Sequence, residues 1–359
     1  MTGDVAGRVA RVLAWLGLAA LPGSGLASAA LTPTQDPRLA LPASFLGVLP
    51  GADGNDVPAH LDLWPDGVYH LHRTAMSGSA RDDDIGRWRR APDRPVILLY
   101  GGREMPLQFE VAASRKLRAL GLDGKPADAG ARYDLSGDGR LHPTDVSRGL
   151  HGMFRYLADA AMFEECLTGR AYPVAMEGDY LTLERAYLAM PDRVPGAAVM
   201  ASFDGDVTQR PPMEGSGTEP TIVVRRFVGL WPDQNCERAM SHASLAPQYW
   251  RIVSLQGEVL SRIEGTREAH LILRGTAGGY RANAGCQQLD GQYRVAGTGL
   301  EFAPPDMAGD ACPPAHRARQ AMLLDVLAAA RTWSIQGQVL ELFDAAGTPV
   351  AVLEAVYLR

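Results

Sequence analysis

Apolar residues along this chain come in short runs, and a turn signal closes each run. His60-Leu61-Asp62-Leu63-Trp64 alternates polar and apolar, Pro65-Asp66-Gly67 breaks it, and Val68-Tyr69-His70-Leu71-His72 alternates again. That pattern is a strand, a turn and a returning strand. Residues 96–100 before Gly101-Gly102, residues 107–111, and residues 117–122 before Asp123-Gly124 continue the series across 34–135. A succession of short strands must pair every backbone amide within a sheet, so a sandwich or closed barrel is expected. No βαβ rhythm appears. The 39 glycines and 25 prolines are spread over all 359 residues, so the same punctuation reaches the C-terminus. Hydrophobic residues make up 46%, enough to give each of two or three domains a core. A net charge of −6 argues against a nucleic-acid partner, because phosphate binding needs a basic surface.

The N-terminus has the order of an export signal. Arg8 and Arg11 precede an apolar run over residues 12–21, Pro22 and Gly23 break it, and Ala27-Ser28-Ala29 fits a small-residue cleavage site. Residues 1–29 are therefore expected to be a signal peptide cleaved near Ala29, which makes the mature chain periplasmic or secreted. The run is too short to span a bilayer. No cysteine follows it, so no lipid anchor is expected, and no later stretch reaches membrane-spanning length.

The cysteines are Cys166, Cys236, Cys286 and Cys312. Four cysteines allow three connectivities. In an oxidising compartment, Cys166–Cys236 with Cys286–Cys312 keeps each bridge inside one segment of the chain. Loop entropy then gives roughly 3–5 kcal/mol for each bridge as an upper value. Buried free thiols are the alternative. Zinc is disfavoured, because no two cysteines stand a few residues apart.

A polar break at residues 136–142 separates the first segment from one expected over 143–236. There Thr144 or Asp145 can cap a helix whose apolar face is Leu150, Phe154, Leu157 and Ala161. Strands follow Cys166, around residues 197–203 and 221–224, with a turn at Gly215-Ser216-Gly217. A second polar break leads to a segment over 245–359. It opens with Tyr249-Trp250-Arg251-Ile252-Val253 and has a helix at 316–330 and a closing hairpin of residues 339–343 and 350–358. The expected class is mostly β, with three small barrel-like domains and one helix each in the second and third.

Several short motifs carry a family resemblance. Leu41-Pro42-Ala43-Ser44-Phe45-Leu46-Gly47, then Leu61-Asp62-Leu63, Asp66-Gly67-Val68-Tyr69 and Gly86-Arg87-Trp88 resemble the NlpE N-terminal domain, which implies a small lipocalin-like barrel. That family carries a Cys-x-x-Cys after its Leu-Pro. Gly51-Ala52-Asp53-Gly54 stands here instead, so the soft ligands copper would need are missing. Ala158-Asp159-Ala160, Cys166-Leu167-Thr168-Gly169, Leu183-Glu184-Arg185-Ala186-Tyr187 and Cys236 resemble the NlpE C-terminal OB-like domain, in which such a cysteine pair is implicated in sensing oxidative folding. Tyr249-Trp250-Arg251, Gly285-Cys286, Ala311-Cys312-Pro313 and Leu340-Glu341-Leu342 resemble a META (HslJ-like) domain, with Gln287 where Asn usually follows the cysteine.

Common catalytic patterns are absent, so the chain is expected not to be an enzyme. His70 and His72 share a strand face and, with His60, are transition-metal candidates. The stretch from Asp134 to Asp145 has calcium-loop spacing, with Asp134, Ser136, Asp138, Arg140 and Asp145 as its candidate positions and Gly139 at the sharp turn. An interdomain turn is the plainer reading. Asp82-Asp83-Asp84 reads as a solvated loop, and Met153 and Met162 read as core residues rather than Cu(I) ligands. No cofactor is required on this reading, with Ca²⁺ or a transition metal left open. The function expected is a monomeric, non-enzymatic envelope protein in stress or surface sensing or copper-tolerance-related binding, with an envelope protein as partner. The alternative is a periplasmic metal- or small-molecule-binding protein using the first barrel or the loop at 134–145.

Overall fold

The computed structural model describes residues 39–356 except 52–54, 75–82, 104, 129, 192–193, 213–214, 239–242, 262–267, 276–277 and 310–311. The expected signal peptide lies outside the described residues. Three closed sheets follow one another in a single compact unit that spans Pro33–Arg359.

The first barrel is an up-and-down meander of eight strands: β1 (Ala43–Pro50), β2 (Asp56–Leu63), β3 (Val68–Arg73), β4 (Asp84–Arg90), β5 (Val96–Gly101), β6 (Leu107–Ala113), β7 (Lys116–Leu120) and β8 (Asp134–Ser136). Each strand pairs with its sequence neighbour, and β8 closes on β1 at Ser136 and Leu46. The β2–β3 hairpin has the turn read from the sequence, and Gly67 takes the φ of +84° that a side chain would resist. Period-two alternation sends Leu61, Leu63, Tyr69 and Leu71 inward with Phe45 and Trp88. His60, Asp62, His70 and His72 therefore face outward, yet Asp62 and His70 are buried because the second barrel covers that wall.

The second barrel has five strands, β9 (Val146–Leu157), β10 (Ala160–Glu165), β11 (Arg170–Gly178), β12 (Val199–Arg210) and β13 (Glu219–Trp231), with helix α1 (Tyr180–Leu188) between β11 and β12. Its order is β10-β11-β13-β12-β9, closed, with β11 parallel to β13 and the other pairs antiparallel. This is an OB-type Greek-key barrel. The helix expected after residue 143 is instead strand β9. Leu150 and Phe154 are four apart, which suits one helical turn and equally two strand repeats. The buried set Val146, Leu150, Gly152 and Phe154 is spaced by even numbers, so the period is two. Ala161 lies on the next strand. The helix of this domain is α1, where Tyr180, Leu183 and Tyr187 recur at helical spacing and are buried.

The third barrel comprises β14 (Gln248–Leu255), β15 (Glu258–Val259), β16 (His270–Leu273), β17 (Gly279–Asn283), β18 (Gln288–Ala296), β19 (Gly299–Phe302), β20 (Asp306–Ala308), β21 (Thr332–Gln336), β22 (Val339–Phe343) and β23 (Pro349–Val356), with α2 (Pro314–Ala329) before β21. Pairing of β14 with β23 closes it. Pro314 sits in the first turn of α2, where its missing N–H costs nothing. Leu323, Val326 and Leu327 of α2 pack with Trp250 and Tyr280 in the core.

Candidate functional site at the barrel junctions

Three acids of the first barrel hold the strand that opens the second. Asp62 accepts the Thr144 N–H at 2.7 Å and the Ser44 hydroxyl. Asp83 accepts the N–H groups of Arg73 at 3.0 Å and Ser147 at 2.8 Å. Asp84 accepts the Tyr69 hydroxyl at 2.7 Å, the Gly102 N–H at 3.0 Å and Arg148 Nη1 at 2.7 Å. The acidic run is therefore not a solvated loop: Asp83 and Asp84 are buried, and Asp82 lies outside the described residues. Carboxylates can leave water when donors replace it, and here most donors come from residues distant in sequence. Burial, and then the Asp84 charge, push the Tyr69 phenol well above its ordinary value. Ile85, next along β4, joins the core of the second barrel.

The histidines take separate partners. His70 Nε2 lies 3.3 Å from the Tyr172 hydroxyl, and its ring meets Trp64 edge-on at 4.6 Å. Burial lowers its pKa from 6.5 to about 4. Arg170 covers the other side of this contact, pairing with Asp66 at 2.6 Å and lying over the Trp64 ring. His60 approaches Asp62 at 3.2 Å and His72 approaches Asp83 at 2.9 Å. His60 and His72 stand opposite each other across β2 and β3.

The stretch from Asp134 to Asp145 does not gather its oxygens. Asp134 is on β8, where Lys116 at 2.8 Å and Arg118 at 3.1 Å hold its carboxylate; although burial opposes them, they leave its pKa below the ordinary value. Ser136 closes the barrel through its backbone. Asp138 pairs with His142 at 2.9 Å and accepts the Arg140 N–H at 2.8 Å. The Arg140 carbonyl accepts the Ser44 N–H, and Asp145 lies in a polar cleft with Arg210. Strand β9, not a helix, follows. Among the described residues, no three His, Cys, Asp or Glu side chains converge as a metal group.

Disulfides join Cys166 to Cys236, with S–S 2.04 Å, and Cys286 to Cys312, with S–S 2.10 Å. The first lies where the second barrel meets the third. Both its cysteines pack, with Met153, against a buried cluster of Met200 and Trp231 from the second barrel and Val339 and Val352 from the third. Beside it, Arg226 joins Asp204 at 2.8 Å to both oxygens of Glu341 at 2.9 and 3.1 Å. Glu354 receives Gln234 and Arg251. The sequence gives no sign that these residues meet, because a lone charged residue on a strand does not show which barrel it will face. His151 contacts the Ser202 hydroxyl, which also accepts Trp231 Nε1–H at 2.8 Å; Ser202 is buried.

Family models match the chain in three consecutive stretches: the NlpE N-terminal domain over residues 45–129, the NlpE C-terminal OB domain over 144–237 and the META domain over 243–357. Lipoprotein NlpE of Escherichia coli (strain K12) is 29% identical over 215 residues, which cover 57% of this chain and 86% of that protein. The crystal structure of the Cpx pathway activator NlpE from Escherichia coli aligns at 26% identity over 55% of this chain and 99% of that one, with a TM-score of 0.25. The chain thus carries, in order, a stretch matching the NlpE N-terminal domain, one matching the NlpE C-terminal OB domain and one matching the META domain, and it is homologous to Escherichia coli NlpE.

Proposed function

We propose that the mature chain is an exported, monomeric, non-enzymatic envelope protein that works by binding in envelope-stress or surface sensing, with residues 34–135, 143–236 and 245–359 as its working units. The observation that carries this reading is the pair of NlpE domains, in order and homologous to a lipoprotein over most of that protein's length. The two disulfides support it, since such bridges persist in oxidising compartments. Rigid barrels suit such a role, because loops at their rims can present a surface to an envelope partner.

The test is overproduction of the full chain in its source cell, with fractionation and a transcript readout of the envelope-stress response. Recovery outside the cytoplasm with oxidised cysteines, together with induced transcripts, is expected. A cytoplasmic, fully reduced chain, or transcripts equal to those of an empty-vector strain, would overturn the proposal.

A further inference from the structure

Where the three barrels meet they leave a cavity of about 320 Å³. Its wall takes Asp83 from the first barrel, Ser147, Arg148, Asp204 and Arg225 from the second, and Gln336 from the third. The wall is polar throughout, so an apolar ligand would gain little there. Its two carboxylates and two guanidinium groups balance in charge but occupy different places.

Some of this hydrogen-bonding capacity is unused. Arg225 places Nε 2.8 Å from Asp206, while its terminal nitrogens have no hydrogen-bond partner among the described residues. Asp204 Oδ2 accepts the Arg226 Nε–H at 2.8 Å, and its Oδ1 has no hydrogen-bond partner among the described residues. The Gln336 amide lies directly over Gly149: a Cβ built there would fall 1.7 Å from its nitrogen, so the glycine lets the amide rest against the strand in this position. That amide too makes no hydrogen bond among the described residues. These donors and acceptors stay open to the cleft, so a ligand that carries both charges can reach them without displacing a hydrogen bond within the protein.

We propose that this three-barrel cavity binds a small zwitterion of amino-acid or dipeptide size, with its carboxylate on Arg225 and Gln336 and its ammonium on Asp204. A charge-balanced wall does not select a simple anion or cation, whereas separated opposite charges match a zwitterion. The site is an open cleft whose volume is at the lower end of small-ligand pockets, so it suits a small ligand. The site goes beyond the envelope role and does not rest on it. Because all three barrels contribute, a bound ligand stabilises their docked arrangement by mass action.

The test is calorimetric titration and thermal unfolding of the full mature chain with free amino acids and dipeptides, glycylglycine among them. Each binder is compared with its N-acetylated and C-amidated forms. Free zwitterions are expected to bind and raise Tm, and each blocked form to bind at least about tenfold more weakly, since one charged contact is lost. Arg225→Gln and Gln336→Ala are each expected to weaken binding likewise. The Gln336 side chain has no hydrogen-bond partner among the described residues, so its variant keeps the fold intact if Arg225→Gln does not. Absence of binding by every zwitterion, equal binding of the blocked forms, or undiminished binding by Gln336→Ala overturns the proposal.

Discussion

The Tyr172 hydroxyl of the second barrel lies 3.3 Å from Nε2 of His70 on the first, and neither ring reaches solvent. The seam is therefore built around a neutral imidazole. Unfolded, His70 takes a proton near its ordinary 6.5; folded, burial delays this to about 4. Between those values the unfolded chain holds more protons, so stability falls as pH drops through the window and is flat below it. At 1.36 kcal/mol per unit the loss is about 3 kcal/mol as an upper value. His70→Gln should remove this component. Urea unfolding at neutral pH and at about pH 4.5 reads it, by the variant's smaller loss of stability. An equal loss in variant and wild type would show that the imidazole does not titrate as described.

Asp84 and Arg148 join the same two barrels at 2.7 Å, with side chains 3% and 16% exposed. Removing Arg148 leaves the buried Asp84 carboxylate only Arg103, at 3.4 Å, to balance its charge. Arg148→Met is expected to cost about 3 kcal/mol, and the double variant with Asp84→Asn less than the sum of the single changes. Chemical denaturation of the four proteins gives the coupling directly. Additive costs would mean that the pair is screened and the seam is held by packing alone.

Gly152, mid-strand in β9, pairs with Glu165 of β10. A Cβ there would lie 2.2 Å from the Glu164 carbonyl oxygen and 2.7 Å from the Phe163 ring. The carbonyl belongs to the sheet and cannot rotate away, so Gly152→Ala should cost about 2–3 kcal/mol. The same change at Gly257, at φ +82° with open space around it, tests backbone conformation without crowding, and should cost nearer 1 kcal/mol. Thermal unfolding of the two variants separates the effects.

The hairpins were legible because alternation and turn chemistry agree, as at Leu61, Gly67 and Leu71. Helix α2 was legible because a long alanine- and leucine-rich run has no competing strand pattern. Helix α1 was also written in the chain, through Tyr180, Leu183 and Tyr187. The preceding four-residue spacing of Leu150 and Phe154 drew the helix to the wrong place, where one interval serves both periods. Asp83 and Asp84 show a different limit. A local reading sees three adjacent acids and supplies water, whereas the fold supplies Ser147 and Arg148 from another barrel. The cysteine pairs followed from domain order. That one of them would lie at the seam with the third barrel depended on the docking of two domains, which no local pattern records.

That placement separates the two bridges experimentally. They close loops of 70 and 26 residues by sequence separation. Loop entropy makes their losses similar, about 4 and about 3.5 kcal/mol as upper values. Their reach should differ. Cys286–Cys312 ties the β17–β18 turn to the segment before α2, so its double serine variant should loosen the third barrel alone. Cys166–Cys236 packs against Val339 and Val352 across the seam. Its double serine variant should speed amide exchange in β12 and β13 and, across the seam, in β22 and β23 as well, because local opening spreads through cooperatively packed units. Hydrogen-exchange mass spectrometry of the two variants reads this as a pattern rather than a magnitude. Faster exchange confined to the second barrel in the Cys166–Cys236 variant would mean that the third barrel docks independently of the bridge, held by Arg226, Glu341 and the surrounding apolar contacts.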